Sequence, residues 1–205
     1  MSDEVKKSYK GYDGIYNFDL ESSGLLHHLV EQKESAKLHN VCAMELDSDK
    51  MYLLHSDTKK QRESIQRFLD RDIILVCHNG ISYDYHALKH FGYDVSKVTV
   101  VDTLALSWYL DLYRAKHGLD SYSDESGTPK PVVEDWENLT QKDYDFRVKS
   151  DVKIQAYVYT KLKKRFEELY GKMSDIELCN HKVVRYLNFK MEQLAEQQNN
   201  RIKID

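Results

Sequence analysis

Five consecutive apolar residues, Ile73-Ile74-Leu75-Val76-Cys77, narrow the folds open to this chain more than any other segment. The run is rich in β-branched residues, has no polar alternation, and is short for a helix. It reads as a strand covered on both faces, which calls for a sheet with helices on each side. Its neighbours fit that layout. Ile15 to Asp19 reads as a first strand. His39 to Leu46 and Met51 to His55 alternate apolar and polar residues about the turn cluster Asp47-Ser48-Asp49-Lys50, the pattern of a hairpin. Gln61 to Asp70 places Ile65, Phe68 and Leu69 on one helical face. Ser82 to Phe91 reads as a helix stopped by Gly92, Val98 to Val101 as a second short buried strand, and Thr103 to Leu112 as a helix. Strands alternating with helices after an initial meander predict an α/β domain with a mixed sheet.

The second half is organised differently. Lys116 to Asn138 gathers the only two prolines with Gly118 and Gly127, so it reads as loop with one helical turn. Thr140 is placed to cap a long helix, with Asp143 at its third position, and Gly171 ends that helix after Tyr170. Its apolar stripe is Val148, Val152, Val158, Leu162, Phe166 and Leu169. A last helix, from about Asp175 to Gln198, turns Ile176, Val183, Val184, Leu187 and Leu194 inward. The expected division is an N-terminal arm over 1–12, one domain over 13–172, and a C-terminal helical extension over 173–205.

Composition removes several classes. No apolar run approaches the roughly 20 residues that cross a bilayer, and the polar N-terminus reads as neither signal nor anchor. Cys42, Cys77 and Cys179 make no CxxC pair, and their odd number argues for reducing cytoplasm over a disulfide framework. A net charge of −4 does not advertise nucleic-acid binding, but carboxylates that hold a metal discount that signal.

Chemistry concentrates at acids. In Phe18-Asp19-Leu20-Glu21, alternate strand residues share a face, so Asp19 and Glu21 point into one small volume. Like charges that close repel unless a cation holds them, and hard oxygen ligands suit magnesium or manganese. The plain alternative is two solvated carboxylates at a strand end. Asp84 follows the turn His78-Asn79-Gly80 and sits in a first helical turn, where the helix dipole favours a carboxylate whatever its function. Asp151 is the only acid among seven cations from Arg147 to Arg165. It reads either as an i, i+4 partner of Arg147 or as a metal ligand on a helix whose basic flank meets phosphates.

Taken in order, FDLE at 18–21, HNGISYDYHAL at 78–88, VVDTLALSWYL at 100–110 and SDVKIQAYVYTKL at 150–162 resemble the DEDD (DnaQ-like) 3′→5′ exonucleases. The likeness is nearest to the proofreading domain of bacteriophage family A DNA polymerases, and LNFKMEQLAEQQNNRIKID at 187–205 is similar to their exonuclease-to-polymerase connector. The resemblance implies a ribonuclease H-like mixed sheet flanked by helices. It implies two divalent cations, Mg²⁺ or Mn²⁺, held by Asp19, Glu21, Asp84 and Asp151 as catalytic residues, with Asp19 bridging the pair. It places Leu20, Ser22, Leu25 and Asn79 against the terminal nucleotide and ranks Asp102 below the four acids. The implied partners are a single-stranded DNA 3′ end and a DNA polymerase chain, with no membrane.

The fourth motif departs from the family. A Tyr four residues or a His five residues before the last Asp normally activates the water, and here those positions hold Arg147 and Phe146. Neither can accept a proton at neutral pH. His117 or Tyr144 is the expected substitute, and the competing reading is a weakened module that binds single strands or docks a polymerase. Short RNA is the third reading, because sugar preference rests on contacts to the 2′-OH. His86 and His90 lack further zinc ligands and read as a surface pair, and His27-His28 as an exposed doublet.

Overall fold

The computed structural model describes residues 11–24, 36–130, 133 and 138–200. Most of the expected N-terminal arm, Leu25, the His27-His28 doublet and the end of the C-terminal extension lie outside the described residues. Among those described, five strands form one mixed sheet: β1 (Gly14–Ser22), β2 (Leu38–Glu45), β3 (Met51–His55), β4 (Ile73–Cys77) and β5 (Val98–Asp102). Their order is β3-β2-β1-β4-β5. The meander β1-β2-β3 is antiparallel, and β1, β4 and β5 run parallel. The apolar run of β4 is buried at every residue between β1 and β5, as its lack of alternation predicts. No helix among the described residues is long and apolar enough to cross a membrane.

Helices cover both faces. On one side α1 (Lys59–Leu69) and α2 (Asp84–His90) enclose Tyr16, Phe18, Leu20, Ile73 and Leu75. On the other, α3 (Thr103–Leu110) and the long α5 (Gln141–Tyr170) enclose Ile15, Ile74, Val76 and Val101. A 3₁₀ turn (Leu119–Tyr122) and the single turn α4 (Ser123–Ser126) interrupt the connection between them. β1 therefore alternates: Tyr16, Phe18 and Leu20 fill the first core, while Asp19 and Glu21 share the face of Ile15, toward α5.

The long helix begins and ends where its local chemistry dictates. Thr140 Oγ1 accepts the Asp143 amide at 3.4 Å while the Asp143 carboxylate accepts the Thr140 amide at 2.8 Å, a reciprocal cap. Gly171 follows the last turn with φ +87°. Leu169 is exposed, so the buried stripe stops at Phe166. The expected last helix is two: α6 (Asp175–Cys179) and α7 (Lys182–Asn200). Between them the His181 ring packs on Phe166 and Tyr170, both at 5.0 Å, and its Nδ1 accepts the Val183 amide at 3.3 Å. Val184, Met191 and Ala195 are the buried face of α7, while Leu194 is exposed. Asn188 on α7 closes part of the free edge of β5, accepting the Asp102 amide at 3.2 Å and donating to the Val100 carbonyl at 2.6 Å.

The turn after β4 has little tolerance. A Cβ on Gly80 would lie 2.1 Å from Cys77 Cβ, and Asn79 takes a positive φ of 67°, which asparagine accepts better than most residues. Gly80→Ala is expected to destabilise the protein by about 1–3 kcal/mol, read as a lowered urea midpoint with an unchanged slope. An unchanged midpoint would mean that the turn relaxes freely.

Candidate metal centre

The C-terminal ends of β1 and β4 lie side by side, and α5 crosses the same face. Asp19 and Glu21 project from β1 toward α5, which presents Asp151 at its middle. One oxygen from each of the three lies within 4.8 Å of the other two, the single such group of potential ligands among the described residues. Asp84 begins α2 beside them. The backbone N–H groups of Leu20 and of Asp84 itself stabilise its charge, while its Oδ1 is buried with no hydrogen-bond partner among the described residues. An orphaned carboxylate oxygen beside three converging ones suits a hard cation, which takes oxygen ligands.

Burial dominates the electrostatics. Glu21 is pushed up to about 7, first by desolvation, although the adjacent Arg147 guanidinium pulls the other way. Desolvation also raises Asp84 to about 7, with Asp102 adding to it. Asp19 is raised well above the usual carboxylate range, by burial and then by the charges of Asp84, Asp151 and Glu21, with Lys130 opposing. Two internal cations sit on this cluster. Arg147 Nε donates to Glu21 Oε1 at 3.2 Å, and Lys130 Nζ lies 3.0 Å from Asp151 Oδ1. Lys130 was not legible as a site residue, because it lies in the irregular stretch and its contact spans loop to helix.

The remaining expected residues separate. Ser22 hydrogen-bonds the Tyr83 hydroxyl at 2.6 Å, and Tyr83 also donates to the Gly24 carbonyl at 2.6 Å, so the Tyr of the second motif clamps the end of β1. Leu20 is buried in the opposite core, leaving its backbone toward Asp84. Asn79 stands in the turn after β4, its amide held by Asp102 Oδ1 at 3.1 Å. Asp102 also accepts the amides of Ile81 at 3.1 Å and Leu104 at 2.9 Å, so it caps α3 and shapes the second-motif turn.

His117 is engaged elsewhere, its Nδ1 with Ser107 Oγ at 2.6 Å and its carbonyl with His78 Nε2 at 2.8 Å. Tyr144 stacks on His39 with centroids 3.7 Å apart, and burial and the Glu21 charge raise its hydroxyl pKa. Phe146 is exposed. The basic flank of α5 is largely answered within the chain: besides Arg147, Lys161 pairs with Glu125, Lys163 with Asp175 and Arg165 with Asp111.

Carboxyls raised toward 7 make the metal-free fold sensitive to pH. Their folded values exceed the ordinary 3.8 and 4.5 of Asp84 and Glu21. Their contribution is therefore fully present below about 4 and is lost as pH rises through 7. A divalent ion requires deprotonated ligands and reverses this penalty. The rise in Tm produced by Mn²⁺ over EDTA should thus be larger at pH 8 than at pH 5.5. Equal rises at the two pH values would remove Glu21 and Asp84 from the ion's coordination.

No protein-family model and no curated protein matches the sequence at a significant level. Solved structures do. Brucella melitensis NrnC with bound Mg²⁺ is 22% identical with a TM-score of 0.61, over 95% of this chain and 92% of that one. NrnC from the same organism bound to pGG is 22% identical at TM-score 0.62, over 95% and 91%. An apo form of a nuclease is 20% identical at TM-score 0.61, over 100% and 93%. Each is matched along nearly its whole length, so in those structures the fold makes up the chain instead of serving as one domain of a longer polymerase chain. The chain has the ribonuclease H-like fold of these nucleases.

Proposed function

We propose that this chain is a metal-dependent 3′→5′ exonuclease acting on single-stranded nucleic-acid ends. The observation that carries the reading is the convergence of Asp19, Glu21 and Asp151 within 4.8 Å, with Asp84 buried beside them, in the fold of a nuclease solved with bound Mg²⁺. The phage-proofreading likeness rests on the sequence motifs alone, and the solved structures of similar fold are nucleases matched along nearly their whole length. The similarity to NrnC bound to pGG favours short strands among the substrates.

In this reading Asp19, Glu21, Asp84 and Asp151 hold two divalent cations. Bound there, Mg²⁺ or Mn²⁺ supplies Lewis-acid stabilisation of the phosphate charge and acidifies water. The chain's own residues position the strand: Ser22 and the β1 end clamped by Tyr83 face the terminal nucleotide, together with Asn79. The edge of the stacked Tyr144–His39 pair offers a surface for a base. Cations of α5 that are paired within the chain leave fewer for phosphates, so the salt dependence of binding should be shallower than seven free cations would give.

The second reading, a weakened module, is favoured by Phe146 and Arg147. Arg147 is bonded to Glu21 and Phe146 is an exposed hydrocarbon ring, so neither residue supplies a proton acceptor.

The test compares 3′-labelled DNA and RNA strands, from dinucleotide to about twenty residues, with Mg²⁺ or Mn²⁺. Stepwise release from the 3′ end is expected, abolished by Asp19→Asn and absent on closed circular single strands. Cutting of the circles would show an endonuclease and overturn the direction. Phe146 is exposed, so Phe146→His should fold and raise turnover, within the roughly 10²–10⁴-fold that general-base assistance is worth. No gain, with a parent already fast, would mean that another group activates the water, and His117→Ala is the variant to make next.

A further inference from the structure

Lys130 is aimed at the carboxylates by the turn that carries it. Its backbone N–H donates to Ser123 Oγ at 3.0 Å, and the same hydroxyl donates to the Thr128 carbonyl at 2.8 Å. Thr128 N–H in turn donates to Ser126 Oγ at 3.1 Å, and Gly127 supplies the left-handed residue at φ +67°. Glu125 fastens this turn to α5 through Lys161 and to the preceding loop through Arg114. From that anchored backbone the Lys130 side chain, 26% exposed, brings its ammonium against an Asp151 carboxylate that is only 7% exposed. Its charge also acts on Asp19 and Glu21. A lysine anchored at its backbone and ion-paired to a buried carboxylate differs from a surface lysine that swings in solvent.

We propose that Lys130 is a positioning residue that sets the site's divalent-ion affinity, its ammonium holding the Asp151 carboxylate until an entering ion takes it over. The inference rests on the reading of Asp19, Glu21 and Asp151 as metal ligands. With Arg147 on Glu21, two internal cations already sit on two of the four acids before any ion enters. An ion that needs Asp151 competes with Lys130 for it. The sign of the effect is therefore diagnostic. Removing a competitor tightens ion binding, whereas removing a merely structural ion pair loosens the site and weakens it.

Mn²⁺ titrations by calorimetry on the whole chain at pH 7.5 read this directly, without turnover. Lys130→Met keeps the length of the stem and removes the charge, and should tighten Mn²⁺ by about tenfold, equivalent to ~1.4 kcal/mol. Lys130→Arg keeps the charge and should stay within about twofold of the parent, less than 0.5 kcal/mol. Ser123→Ala, which frees the Lys130 backbone from its anchor, should tighten binding in the same direction by less and serves if Lys130→Met folds poorly. Unchanged or weaker Mn²⁺ binding in Lys130→Met, with the parent binding normally, overturns the role of Lys130 and leaves the metal centre standing. A parent that binds no Mn²⁺ overturns the metal centre itself, and Lys130's role with it.

Discussion

Four carboxylates gathered at one end of a sheet repel each other, and most of the surrounding construction answers that repulsion. The burial that makes the cluster chemically useful also makes it costly, since desolvation is the first cause raising Asp19, Glu21 and Asp84. The scaffold holding them is correspondingly rigid. β1 lies at the middle of the sheet between β2 and β4, with an apolar core on each face. Its register places Asp19 and Glu21 without freedom to slip, because a one-residue shift would carry both into the Phe18 core. α5 reaches Asp151 only after capped first turns, and its packing through Val148, Val152 and Val158 fixes the helix rotation that points the carboxylate at β1.

How far this could be read from the sequence depended on the range of the interaction. The Thr140–Asp143 cap, the hairpin β2-β3 and the buried strand β4 are written within a few residues, and each appears where local pattern puts it. The shared face of Asp19 and Glu21 follows from the two-residue period of a strand. Periodicity failed where tertiary contact overrules it. The helical pattern runs on past Cys179, but the His181 ring turns into Phe166 and Tyr170 and the helix breaks there. Leu169 and Leu194 continue their stripes in the sequence but are exposed, with no layer of the described residues over them.

Charge was the least legible property. Seven cations on α5 look like a phosphate-binding flank, yet four of them close ion pairs with acids from β1, α4, α6 and the end of α3. The partners are up to 126 residues away in sequence, so no local reading reveals them. Asp102 shows the converse. Its place in the third motif ranks it below the four acids, and its buried oxygens are taken by the amides of Asn79, Ile81 and Leu104. It orders the turn that leads to Asp84, acting on the acid cluster through the backbone.

Arg147 ties these points together. At a position where the resembling family carries a proton acceptor, this chain carries a permanent cation, and that cation is buried against Glu21. Burial still outweighs it, since Glu21 stays near 7. A lone Glu21 without the guanidinium would be harder to ionise, and an ion pair broken in a buried place leaves an uncompensated charge. The cation at this position therefore offsets part of the burial that holds Glu21 protonated, where an acceptor side chain would not. Lys130 on Asp151 extends the same arrangement of a cation against a buried carboxylate to a second acid of the cluster.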